Sequence, residues 1–249
     1  MQIIFQSIII LFLANSLFSE EKTPKAEYEV GIFYGALSSS NNFTSLGLTP
    51  NCCPQEYEPG AGYGLYIPIN YYYQISNKIY FTAGVNLQLE SVDFDYIEQI
   101  DVESGVAKVL HSLNSDRFLF GLTTGVSYQL KKFNFTTGFN YIMPLSSQYS
   151  QREALITGGS FDSLGTRTRN SFDNETATLT SKFNLRLLSS ISYNISIDND
   201  YEVSPNIAYQ FDLLSLHNSN NWFARGFFFG LTFKMIILND NSSPLDPTN

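Results

Sequence analysis

The sequence predicts an all-β fold, a transmembrane antiparallel up-and-down β-barrel of eight strands, with ten the alternative count. Three observations predict it. Apolar and polar residues alternate at period two over long segments. The connections between segments alternate between short and long, and aromatic residues gather at one end of each segment on the apolar face.

The chain opens MQIIFQSIIILFLANSLFSEEK. Ile3 to Phe18 is almost wholly apolar, and charge arrives at Glu20, Glu21 and Lys22. A run of about 16 residues is short for a membrane-spanning helix of ~20. It is read as a secretory signal peptide over residues 1–19. The barrel is assigned to residues 20–235 and a periplasmic C-terminal tail to 236–249.

The strands follow in order. The first, near 27–37, places Tyr28 on the apolar set and Glu27 and Glu29 on the other. The second, 62–74, reads GYGLYIPINYYYQ, with Tyr63, Leu65, Ile67, Ile69, Tyr71 and Tyr73 on one face. At 43% apolar residues, six in six has a chance of roughly half a per cent. In the third, 78–91, Ile79 to Leu89 alternates with Tyr80 to Glu90 in the same way. The fourth and fifth, 116–130 and 132–143, meet at Lys131-Lys132. The sixth to eighth are placed at 179–195, 200–214 and 222–236. These segments are about 11 to 17 residues long, against five or six in ordinary soluble sheets. Ser76-Asn77, Lys131-Lys132 and Asp198-Asn199-Asp200 make the short turns. Polar stretches 38–61, 92–115 and 144–178 make the long connections, with a moderate one at 215–221. In lipid every backbone group must be paired within the sheet, so such strands have to close into a barrel.

Tyr63, Leu65, Ile67, Phe81, Val85, Ile207, Phe229 and Leu231 are therefore expected to face lipid. Asn86, Gln88, Arg186, Glu202 and Gln210 are expected to face inward. Beside the short turns the apolar face carries Tyr28, Tyr71, Tyr73, Phe81, Tyr128, Phe133, Tyr193, Tyr201 and Phe233, an interfacial girdle that puts the short turns in the periplasm and the long loops outside the cell. Pro68 and Pro205 fall inside strands, where each removes a ladder donor.

The 16 Tyr and 21 Phe coexist with a mean hydropathy of −0.08, as a one-faced apolar pattern requires. A net charge of −9 lacks the basic surface that nucleic acid needs. The inward set holds Glu27, Glu29, Glu90, Arg117, Lys182, Arg186, Glu202, Asp212 and Lys234. Mixed charges in an eight-stranded lumen, which side chains fill, are expected to pair across it.

The last strand, RGFFFGLTF, resembles the C-terminal signal that outer-membrane barrels present to their assembly machinery. NCCP (51–54), SQREAL (150–155) and GTRTRN (165–170) resemble first- and third-loop motifs of barrel domains that often precede an OmpA-type peptidoglycan-binding domain. The chain thus resembles the small outer-membrane β-barrels of Gram-negative bacteria, of the OmpA N-terminal-domain and OmpX type. The resemblance implies outer-membrane lipid, lipopolysaccharide and the barrel-assembly machinery as partners, and no defined biochemical activity.

His111 and His217 both fall in predicted loops with no serine–histidine pattern beside them, so no catalytic residue is assigned. Adjacent Cys52 and Cys53 fit a tetrahedral zinc site poorly, and neither a metal nor a cofactor is expected. In an oxidising extracellular loop the two cysteines can form a vicinal disulfide, remain free thiols or bond to another chain. The third loop, with Arg152, Glu153, Arg167 and Arg169, is either an ordered feature or a mobile one. The sequence thus points to a non-enzymatic barrel with a structural or surface-interaction role. A small-solute porin is the alternative, and a lipid-modifying enzyme the third option.

Overall fold

The computed structural model describes residues 26–40, 58–102, 105–158, 165–176, 183–215 and 223–237. Every element in it is a strand: β1 (Ala26–Ser40), β2 (Gly60–Ser76), β3 (Ile79–Val102), β4 (Gly105–Leu130), β5 (Phe133–Thr157), β6 (Thr168–Thr176), β7 (Asn184–Tyr193), β8 (Ile195–Ser196), β9 (Tyr201–Asp212) and β10 (Phe223–Ile237). All pairings are antiparallel, running β10-β1-β2-β3-β4-β5-β7-β9, and a β10–β9 ladder closes the ring. Its staves number eight, because β8 continues the line of β7 alongside β9 and β6 pairs with β5. The closing seam joins β1 to β10 in unbroken register from Ala26↔Ile237 to Ser40↔Phe223. The barrel thus runs two residues past the assigned boundary at 235. Residues 1–19, where the sequence predicts a signal peptide, and those beyond Ile237 lie outside the described residues.

The alternation follows from the pleat, which sends successive side chains to opposite faces. Along β1 burial switches at every residue from Glu27 to Leu37, with Val30, Ile32 and Tyr34 outside and Glu29 and Phe33 inside. Tyr63, Phe81, Val85, Ile207, Phe229 and Leu231 are exposed, Leu65 and Ile67 partly so, and all share the outward face. Asn86, Gln88, Arg186 and Gln210 are buried inside, and Glu202 lies on the inward set partly exposed. At the short-turn end, aromatic pairs line the outer wall: Tyr28–Tyr71 at 5.1 Å between centroids, Phe133–Tyr193 at 5.2 Å and Tyr201–Phe233 at 5.4 Å. A second level lies toward the other end, with Tyr34–Tyr63 at 6.1 Å and Tyr209–Phe227 at 4.7 Å. An apolar band between two aromatic girdles is the exterior of a transmembrane barrel.

The prolines sit at gaps in the ladders. The β1–β2 register lapses between Val30↔Ile69 and Phe33↔Tyr66, where Pro68 lies. The β7–β9 ladder stops at Ser192↔Asn206, and Pro205 faces the break between β7 and β8. On the other side of the strand Asn194 donates its N–H to the Lys132 carbonyl at 2.7 Å, in line with the β5–β7 register. Each gap falls where proline has no N–H to give to the ladder. Pro144 behaves likewise: β5 pairs with β7 up to Ile142 and with β6 from Gln148.

The structure corrects the long connection at 92–115. Residues 92–102 and 105–115 are strand: β3 and β4 stay paired as far as Val102↔Gly105. Beyond Leu89 the polarity of the two faces exchanges. Ser91, Asp93 and Asp95 now point outward, while Val92 and Phe94 point inward and are fully buried. On β4, Asp116, Asn114 and Ser112 lie outside and Leu113 inside. On β5 the register slips between Phe118↔Ser146 and Leu119↔Pro144, which makes Leu145 an extra residue, a bulge that exchanges the strand's two sets. Apolar-out is the pattern of a wall in lipid, and apolar-in that of a sheet in water. The exchange therefore marks where the wall leaves the bilayer. From Ser91 to Val102 the hairpin reaches roughly 35 Å farther along the strand. The stretch 144–178 is also partly strand, in β5 and β6, and Arg167 donates to the carbonyls of Leu155 (3.2 Å) and Ile156 (3.1 Å).

Candidate functional site

The interior of the barrel is where charged side chains converge. Glu90 on β3 faces Arg117 on β4 directly across the ladder, and the Arg117 guanidinium donates to it at 2.7 Å. From the far wall Arg186 on β7 reaches the same carboxylate and also donates to Asp212 on its neighbour β9. Its Nη1 donates to Gln88 at 2.8 Å. The other oxygen of Asp212 accepts the Ala224 N–H at 2.7 Å. Two carboxylates thus balance two guanidiniums, and Arg186 is 1% exposed. Burying such groups is tolerable only when each is paired and hydrogen-bonded. Strands distant in sequence meet here because the sheet is closed.

Lower in the lumen, Asn86 donates to Thr123 at 3.0 Å and to Asn140 at 2.9 Å, and accepts from Gln88 at 2.8 Å. Gly121 makes room for this bridge, since a Cβ there would stand 2.5 Å from both Asn86 Oδ1 and Asn140 Oδ1. Gly121→Ala is expected to cost about 1–3 kcal/mol by leaving buried amides unpaired, read as a lower urea midpoint in vesicles. Near the short turns Glu27 pairs with Lys234 at 3.0 Å. Glu29 accepts from Asn70 at 3.2 Å and Tyr72 at 2.9 Å, and Lys234 lies 5.0 Å from the Tyr72 ring centroid. Glu202 stands opposite Lys234 in register and accepts from Ser196 at 3.4 Å. Lys182, Cys52, Cys53 and His217 lie outside the described residues.

Apolar side chains fill the rest. Phe33, Tyr66 and Phe228 pack at 5.5 and 6.1 Å between centroids, continuous with Leu37, Leu188 and, in the extension, Phe94 and Tyr149. Gly230 lets the Phe33 ring lie against β10, since a Cβ would meet its Cγ at 2.6 Å. Sequence reasoning missed this apolar half of the lumen, although the glycines on the inward sets of β1, β2 and β10 were its signal.

His111 is not the solvated loop histidine that the sequence suggested. It lies on β4, 6% exposed, on the inner face of the extension, because the strand continues through its position. Its Nε2 is 2.8 Å from Glu98, its Nδ1 is 3.7 Å from Glu153, and Tyr96 packs beside it. The ring thus lies between the Glu98 carboxylate on β3 and the Glu153 carboxylate on β5.

No protein-family model matches the chain, and no curated protein matches it. Among solved structures it is similar to Ail, the attachment invasion locus protein of Yersinia pestis, at 10% identity over 84% of this chain and 98% of that one, with a TM-score of 0.35. It is similar to the outer membrane protease OmpT of Escherichia coli at 10% identity over 86% and 96%, TM-score 0.36. The outer membrane protein OprG of Pseudomonas aeruginosa is similar at 9% identity over 86% and 96%, TM-score 0.32. Likenesses at this level transfer neither a residue nor an activity to this chain.

Proposed function

We propose that this is a non-enzymatic outer-membrane barrel, of the small OmpA N-terminal-domain and OmpX type, that holds a rigid polar sheet above the membrane for surface interaction. The observation that carries the proposal is the filled lumen. Arg186 ties Glu90 to Asp212 from opposite walls, and Phe33, Tyr66 and Phe228 occupy the remaining space. A ring of eight staves leaves room for side chains and little else. What such a barrel offers is its extension, where β3, β4, β5 and β6 pair side by side and mostly polar residues of β3 and β4 face outward.

Planar-bilayer recording of the refolded protein tests this. The expected record holds no stable ohmic steps. Steady steps of uniform size would overturn the filled-lumen reading and favour a small-solute porin. Hydrolysis of a lipid or peptide by the pure protein, lost in His111→Ala, would overturn the non-enzymatic part.

A further inference from the structure

A groove of about 450 Å³ lies on the outer wall where its polarity exchanges. Its lower side is one cross-strand row of outward residues, Tyr34, Leu65, Leu89 and Phe118, each opposite the next in register. Its upper side is the next row, Tyr63, Ser91, Asp116 and Gln148. Ser146, beside the bulge, closes one end. The stacked rings of Tyr34 and Tyr63, 28° apart, close the other. A bilayer component lying here would have its apolar part against the lower row and its head group against the upper one.

The charge at the rim selects the head group. Asp116 is exposed, and among the described residues its carboxylate makes no hydrogen bond or ion pair. The carboxylates above it are occupied: Asn114 donates to Asp93 at 2.8 Å and Ser112 to Asp95 at 2.7 Å. Glu90 and Arg117 also line the groove, but their buried side chains meet each other inside the barrel, so Arg117 offers the rim no free cation. Arg152, outward on β5, stands two rows higher, opposite Ser112. Gln148, Ser91 and Ser146 add neutral groups able to donate hydrogen bonds. An anionic carboxylate beside neutral donors suits an ammonium joined to a phosphodiester. A bare phosphate would meet the wrong sign.

We infer that this groove binds a bilayer lipid with a phosphoethanolamine head group, its ammonium on Asp116 and its phosphate oxygens on Gln148 and the two serines. The inference rests on the membrane-spanning reading. The primary ammonium donates hydrogen bonds to Asp116; a quaternary ammonium has none to donate.

The test uses the full barrel in nanodiscs of equimolar phosphatidylethanolamine, phosphatidylcholine and phosphatidylglycerol, with retained lipid counted by native mass spectrometry. Insertion is confirmed first by protease resistance of the strands. Failure to insert in any lipid would overturn the membrane reading and this inference with it. Given insertion, the expected result is about two- to fivefold enrichment of phosphatidylethanolamine, the scale of an exposed charge pair. That enrichment should disappear in Asp116→Asn and persist in Asp116→Glu. Equal retention of phosphatidylcholine, a preference for phosphatidylglycerol with magnesium, or unchanged enrichment in Asp116→Asn would overturn the site and leave the membrane reading standing. Should Asp116→Asn fail to insert, Gln148→Ala is expected to reduce the same enrichment, and no reduction there would overturn the inference.

Discussion

Glu90→Ala is expected to destabilise the barrel by about 3–5 kcal/mol, the cost of breaking a buried pair from one side. The Glu90 side chain is 0% exposed and holds Arg117 and Arg186 together. Its loss leaves two guanidiniums facing each other, with Asp212 left to Arg186. Urea unfolding in vesicles, followed by the mobility of the folded and unfolded forms on a gel, reads the shift. The double variant Glu90→Ala/Arg117→Met should lose less than the sum of the two single changes, since it removes one of the orphaned charges. A midpoint equal to the parent's would show that the cluster is hydrated in solution and that the lumen is open to water.

The second large effect tests the membrane boundary. Ile67→Arg is expected to cost about 2–4 kcal/mol, since the outward face of β2 at that height lies near the bilayer midplane. Gln99→Arg, outward on β3 well beyond Leu89, is expected to cost about 0–1 kcal/mol. The contrast is the measurement: two arginines on the outer wall of one barrel, differing in height. Equal stability in both variants would refute either the outward assignment of Ile67 or the placement of the boundary.

The wall in lipid was legible because its chemistry and its geometry share one period. Ile79 to Leu89 on one face and Tyr80 to Glu90 on the other leave a single register that buries the right set. The extension was illegible for a related reason. Val92, Phe94 and Tyr96 alternate with Asp93 and Asp95 as strictly as the residues before them, but with the apolar set turned inward. Rich in Asp, Ser and Asn, the stretch has the composition of a loop, although its period is intact. Alternation names inward charges such as Glu90 and Arg186, and the Glu90–Arg117 contact follows from register. The contact between Glu90 and Arg186 does not, because it crosses the lumen and depends on how the ring closes. The placement of His111 goes with the segment that carries it. The groove at Asp116 joins rows from five strands, β1 to β5, and no local pattern announces it.

The β1–β10 seam sets the order in which this molecule can be made. Every other ladder of the ring joins segments near one another along the chain, so those hairpins can zip up one after another at little entropic cost. The seam must instead find Ile237 for Ala26 and Phe223 for Ser40, from opposite ends of the barrel sequence. Until it does, the chain is a curved ribbon whose first and last strands each expose a row of unpaired N–H and C=O groups, a template for any other open ribbon nearby. In hydrocarbon those rows would be costly, so insertion and closure are tied into one event. The slow step of biogenesis is therefore the meeting of β1 with β10, and a catalyst of this fold has to shield those two edges until they find each other.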